Sequence, residues 1–212
     1  MKVVLFGATG MIGSRVLREL VSRGHTVTAV ARHPEKITAA KVKAVKGDIQ
    51  DKSAVADLVK GADAVISAYA PPAGKEELVV DAARSLIAGL KEAGVKRVIL
   101  VGGAGSLEIA PGVQLVDSPG FPENYKAIAL AHRDVLPVVK GADLDWSYFS
   151  PAGVIAPGER TGKFRLGETR LVADDKGESR ISAEDFAVVL VDELEYPHYL
   201  RQQFTDLRKQ LE

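Results

Sequence analysis

Residues 3–17 read VVLFGATGMIGSRVL. Four apolar residues run into Gly7, Gly10 and Gly13, spaced three apart, and an amphipathic stretch follows at once. The run reads as a short buried strand that turns directly into a helix. Gly7 stands where the chain reverses, and glycine tolerates positive φ there. Gly10 carries no side chain, so an anionic group can come up against its backbone. The helix amino end offers unpaired N–H groups and the positive end of its dipole to that charge. Gly13 lets the helix pack closely on the strand.

The rest of the chain continues the alternation. Apolar or β-branched runs at 2–6, 26–32, 42–48, 63–69, 97–103 and 144–150 read as six strands. Helices are expected after the first strand, over 52–60 with Asp51 as cap and over 75–93. A fourth, over 122–136, is expected to end near Pro137. Such alternation predicts an α/β fold with a doubly wound parallel sheet, order 3-2-1-4-5-6. Trp146, in the sixth strand, is expected in the core.

Beyond Pro151 the composition turns to glycine and charge. KFRL and RLVA flanking GET are expected to form a hairpin, and Ser182 with Asp185 marks a helix start. RQQFTDL (201–207) supplies one further strand, and the tail after it is expected to fray. The expectation is one dinucleotide-binding domain over 1–212, with 151–196 forming a small lobe on the substrate side.

Bulk properties narrow the function classes. Lys+Arg and Asp+Glu both number 28, so no basic excess points to nucleic acid or an anionic membrane. Cysteine is absent, which excludes thiol nucleophiles and Cys-ligated metal. No apolar run approaches the ~20 residues of a membrane span. VVLF is too short for a secretory signal, so a cytoplasmic protein is expected. His132 and His198 lack partners at metal-ligand spacing. With no obvious exposed apolar stripe, a monomer or weak homodimer acting on a small molecule is expected.

The glycine turn follows a strand and opens a helix in a βαβ unit. That is the setting of the dinucleotide fingerprint, here with spacing G-x-x-G-x-x-G. Arg32 closes the second strand, where NAD sites usually place a carboxylate for the ribose 2′-OH. A guanidinium there suits a 2′-phosphate, so NADP(H) is expected over NAD(H). The structural alternative for Arg32 is an ordinary solvated cation. Asp48 ends the third strand. Its carboxylate can accept from an adenine amino group, with Ile49 over the ring, or it can cap the next helix.

GATGMIG, VAR, GDIQD, VGGAGSL, LDWSYFSPAGVIAPGERTG and ISAEDFAVVLVDELE together resemble the atypical short-chain dehydrogenase/reductases. The closest likeness is to the NAD(P)-binding branch related to biliverdin and flavin reductases. The resemblance implies that Gly7, Thr9, Gly10, Met11, Ile12 and Gly13 line the pyrophosphate turn. It implies Arg32 at the 2′-phosphate, Asp48 and Ile49 at adenine, and Ala68, Tyr69 and Ala70 past the ribose. Gly102 would lie against the coenzyme, and Pro151, Ala152, Gly153 and Val154 beside the nicotinamide.

One departure from the wider superfamily matters for the chemistry. Its usual acid is a tyrosine with a lysine four residues on, plus a serine after the fifth strand. Here that strand ends Gly102-Gly103, Tyr125 is followed at four by Ala129, and Lys126 is adjacent. Neighbours on a helix diverge by ~100°, so Lys126 cannot take the lysine's place beside Tyr125. Ser106, Tyr125 and Lys126 remain as catalytic candidates; Ser106 also reads as a turn residue and Tyr125 as a surface tyrosine. Reduction of a ketone needs a positioned proton donor, whereas a reduced flavin or quinone is a weak enough base for water to protonate. The expectation is an NAD(P)H-dependent reductase with FMN, another flavin or a quinone as substrate. Leu107, Ile109, Val113, Leu115 and Phe121 could wall a flat acceptor or pack on one another. A non-catalytic NAD(P)-sensing regulator is the alternative.

Overall fold

The computed structural model describes residues 1–208; the tail expected to fray, residues 209–212, lies outside the described residues. Parallel strands β1 (Lys2–Phe6), β2 (Thr26–Ala31), β3 (Val42–Lys46), β4 (Ala64–Ser67), β5 (Arg97–Val101) and β8 (Asp145–Ser150) stand in the order β3-β2-β1-β4-β5-β8. This is the doubly wound order expected from the alternation. Two further strands extend the sheet past β8: β12 (Gln202–Arg208), parallel to β8, and then β10 (Phe164–Gly167), antiparallel to β12.

Because strand side chains alternate between faces, each strand feeds two cores. Val4, Phe6, Val65, Val98, Trp146 and Tyr148 face α2 (Lys52–Val59), α3 (Leu78–Ala93) and α4 (Glu123–Lys140). Trp146 is 3% exposed, in the core as expected. On the other face, Leu5, Ile66, Ile99, Phe149 and Phe204 meet α1 (Met11–Ser22) and α5 (Ala183–Glu195). The rings of Phe186, Phe149, Phe204 and Tyr199 stack in series, with centroids 3.9, 4.3 and 4.4 Å apart.

Three expectations need correction. KFRL does form β10, but it pairs with β12 and not with RLVA, since β12 offers an open edge that a local pattern cannot reveal. The RLVA segment instead meets β6 (Glu108–Ala110): Glu108 donates its N–H to Thr169 and accepts from Leu171, both at 2.9 Å. With β7 (Val113–Gln114), β6 makes a small hairpin inside the expected 104–121 loop. Second, α4 runs through Pro137 to Lys140. The ring is on the solvent side and the buried Val139 gives the last turn a reason to persist. Third, the 151–196 stretch is not wholly a substrate-side lobe. Its β9 (Val154–Ala156) and β11 (Arg180–Ser182) pair as a two-stranded ribbon, but α5 packs against α1 on the face of the main sheet. Ser182 does cap α5, its hydroxyl accepting from the Asp185 N–H at 3.0 Å.

Candidate functional site

At the carboxyl end of β1 the chain takes Gly7 at φ +81°, and Gly10 N–H closes the turn on Gly7 O at 3.0 Å. A Cβ on Gly7 would stand 2.2 Å from the Ala68 carbonyl oxygen, and one on Gly13 would stand 2.0 Å from that of Gly7. Neither neighbour is a side chain that could swing away. The turn is therefore clamped between the exit of β4 and the first turn of α1. Gly10 is the N-cap of α1, and no side chain among the described residues caps it. The first-turn N–H groups of Met11, Ile12 and Gly13 are left for a ligand, with the helix dipole behind them. An uncapped helix end above a glycine cradle fits a dinucleotide pyrophosphate.

A cleft opens from this turn across the carboxyl ends of β1, β2 and β4. Gly7, Thr9, Gly10, Arg32, Asp48, Ile49, Ala68, Tyr69 and Ala70 line it, which brings together nine of the residues singled out from sequence. Arg32 is exposed at the rim, and no acceptor among the described residues engages it. The neighbouring His33 turns to Glu35, 3.3 Å away. Asp48 accepts from the Gln50 N–H at 3.0 Å, while Asp51 caps α2 through the Ser53 and Ala54 N–H groups. The capping alternative for Asp48 thus belongs to Asp51. Ile49 is 3% exposed, a core side chain that also forms cleft wall.

Sequence reasoning missed Gly47. A Cβ there would meet Leu58 at 2.7 Å and Val30 at 2.8 Å, so its smallness lets the strand end lie flat beside the cleft. The signal was present in KGD, immediately before Asp48.

The residues expected beside the nicotinamide lie apart from that cleft, at the end of β8. Pro151 and Ala152 are buried; Gly153 is exposed and Val154 is 44% exposed. The backbone there is anchored residue by residue. Ala152 N–H donates to Asp206 Oδ1 (3.1 Å), Gly153 N–H to Ser179 Oγ (3.0 Å), and Val154 N–H to Ser179 O (2.9 Å).

The superfamily's acid machinery is replaced by packing. A Cβ on Gly102 would fall 2.3 Å from the Tyr148 ring, so the position where a serine is expected is filled from β8. Tyr148 is fully buried and donates to the His132 carbonyl at 2.6 Å; burial holds its phenol well above the ordinary range. Ala129, where the lysine would stand, is buried with its Cβ close to Gly105, whose own Cβ would lie 2.8 Å away. Of the catalytic candidates, Tyr125 is 59% exposed and Lys126 pairs with Glu123 at 3.2 Å. Ser106 is 3% exposed: it accepts from Gln203 Nε2 at 2.8 Å and donates to Gly103 O at 3.3 Å. The same Gln203 amide donates to Ser150 Oγ at 3.0 Å. The structure therefore brings none of these three hydroxyl or ammonium groups into a tyrosine–lysine pair. His132 is half-buried, with its ring Nδ1 shielded from solvent, and desolvation lowers its pKa to about 4.

The apolar residues of 104–121 divide. Leu107 is in the core and Leu115 and Phe121 are half-buried, whereas Ile109 and Val113 stand out from the β6–β7 hairpin at 45% and 42% exposure.

Residues 7–197 match the NAD(P)H-binding family. A solved structure of a proposed exported protein from Burkholderia pseudomallei is 52% identical, covering 98% of this chain and 99% of its own, with a TM-score of 0.91. A proposed epimerase from Bacteroides thetaiotaomicron is 42% identical over 100% of this chain and 98% of its own, TM-score 0.93. SP1627 from Streptococcus pneumoniae, a proposed NADH-flavin reductase, is 35% identical over 99% of this chain and all of its own, TM-score 0.89. The match over most of the chain, and the glycine cradle beneath it, agree: this chain belongs to the NAD(P)H-binding family of NAD(P)H-dependent oxidoreductases, among the atypical short-chain dehydrogenase/reductases related to flavin reductases.

Proposed function

We propose that the protein reduces a flat conjugated acceptor, a flavin or quinone, at the expense of NADPH, and that solvent supplies the proton. The observation that carries this reading is the packing at Gly102 and Ala129. The places of the usual serine and lysine are occupied by the Tyr148 ring and by the close approach of Gly105. A ketone reduced without a positioned acid leaves an alkoxide, whereas a reduced flavin or quinone delocalises its charge and takes its proton from water. Bound NADPH supplies a hydride, that is, a proton with two electrons, and the acceptor is reduced by it. The chain's own contribution is proximity. The glycine turn holds the pyrophosphate, the Pro151–Val154 backbone backs the nicotinamide, and the exposed Ile109 and Val113 offer an apolar surface to a ring. The name carried by SP1627 supports the acceptor class. Arg32 supports the choice of NADPH, since a free guanidinium at the end of β2 matches a 2′-phosphate.

The test follows oxidation of NADPH in the presence of FMN, riboflavin or a quinone. Steady turnover above the protein-free rate is the expected result. Tight NADPH binding without turnover across the acceptor panel would make the protein a dinucleotide sensor instead. In the same assay Arg32→Ala should weaken NADPH about tenfold or more and leave NADH nearly unchanged. Equal losses for both coenzymes would remove the 2′-phosphate assignment.

A further inference from the structure

Asp206 lies in the middle of β12, fully buried, one position on from Thr205, which pairs with Ser150 of β8. Its Oδ1 accepts from Ala152 N–H, and its Oδ2 has no partner among the described residues. Such an oxygen is a cost to the fold, because a carboxyl taken from water keeps only part of its hydrogen bonding. A second buried carboxyl makes the cost larger. Asp185 of α5 is also fully buried and faces Asp206, its own oxygens taken by Thr161 N–H, Thr161 Oγ1 and Gly162 N–H at 2.6–2.8 Å. Among the described residues, the neighbouring strands bring uncharged groups beside it: Leu166 of β10 opposite Asp206, and Ser150 of β8 opposite Thr205. The Arg180 side chain of β11 turns outward to Glu178, and Arg160 turns to Glu19. An apolar side chain would suit this pocket better, and what Asp206 does that an apolar residue cannot is hold Ala152.

The geometry points to Asp206 as a positioning residue for the nicotinamide end of the coenzyme: its carboxyl fixes Ala152 and so sets the Pro151–Gly153 backbone at the end of β8. This rests on the reading of the chain as an NADPH-binding reductase. Pro151 has no N–H, Ala152 N–H goes to Asp206, and Gly153 and Val154 N–H go to Ser179. Among the described residues, Asp206 is thus the hydrogen-bonded tie between the N–H groups of this turn and the main sheet; Ser179 ties them to the segment that leads into β11. Burial pushes the Asp206 carboxyl up to about 8, against the lowering effect of the Ala152 N–H. Burial thus favours the uncharged acid, whose carbonyl oxygen accepts. An asparagine reproduces that form.

The experiment uses the full chain as wild type, Asp206→Asn and Asp206→Leu. Each is titrated calorimetrically with NADPH and with adenosine 2′,5′-bisphosphate, which lacks the nicotinamide end, and kcat is measured with melting curves alongside. All three proteins should bind the bisphosphate within about twofold of one another. Asp206→Asn should keep NADPH affinity and kcat within about twofold, and Asp206→Leu should lose about tenfold in both. Asp206→Leu matching wild type for NADPH, or Asp206→Asn failing as badly as Asp206→Leu, would overturn the assignment. Should Asp206→Leu not fold, Asp206→Ala takes its place, and its matching wild type for NADPH would overturn the assignment. A wild type that binds neither ligand would instead refute the NADPH reading, and the inference would fall with it.

Discussion

At the scale of single residues the lining of the cleft was legible and the packing at Gly102 and Ala129 was not. Gly7, Gly10 and Gly13 state their purpose locally, because turn, cradle and helix start are contiguous in sequence. Arg32, Asp48 and Ala68–Ala70 follow because each closes a strand whose end must reach the same crevice. Gly102 is different. Its reason for being glycine is the Tyr148 ring, delivered from β8, and no local pattern carries that contact. The sequence showed that a serine was missing; only the structure shows that its space is filled. It follows that putting the serine back does not restore an acid. Gly102→Ser should destabilise the protein by about 1–3 kcal/mol through overpacking against Tyr148. Thermal melting should show a drop of about 2–4 °C for each kcal/mol, with no gain in ketone reduction.

At the scale of elements, periodicity found the first five parallel strands, β8 and all five helices. Its failures were of pairing and of ending. β10 was visible as a strand, but its partner β12 lies far along the chain, and pairing at that distance depends on which sheet edge is open. α4 outlasted the proline expected to stop it, since burial of Val139 outweighs one missing backbone bond. The start of α5 was read correctly, and the structure adds a second duty for its cap. Ser182 Oγ accepts from Asp185 N–H and donates to Glu159 O at 2.7 Å, joining the helix to the 157–163 segment. Ser182→Ala loses both bonds. It should cost about 1–2 kcal/mol, read as a lower denaturant midpoint with an unchanged slope.

At the scale of the whole molecule, α1, α5 and the 157–163 segment are fastened by charge at the back of the sheet. Glu19, nearly buried on α1, takes Arg160 at 2.8 Å through two nitrogens and Arg23 at 2.8 Å. Arg23 reaches on to Asp192 and Glu195 of α5 at 2.7 and 2.9 Å. Arg160 is the main cause that holds the Glu19 carboxyl below the ordinary glutamate range; burial opposes it and Arg23 adds to it. A depressed carboxylate contributes stability above its unfolded value, and that contribution is lost as pH falls through the folded one. Glu19→Gln should therefore be less stable than wild type at neutral pH by about 1 kcal/mol, since Arg160 is half in water. Denaturant titrations at successively lower pH should show the gap closing below about pH 4.5. None of this lattice of charge was legible beforehand, because its members come from three distant stretches of chain.

Glu108 carries a last consequence. Its N–H and carbonyl stitch the excursion after β5 to the one after β8, so the two segments share a seam. Reshaping one segment displaces the other. Substitutions that remodel this part of the surface are therefore to be sought as matched pairs, one from each side of that seam.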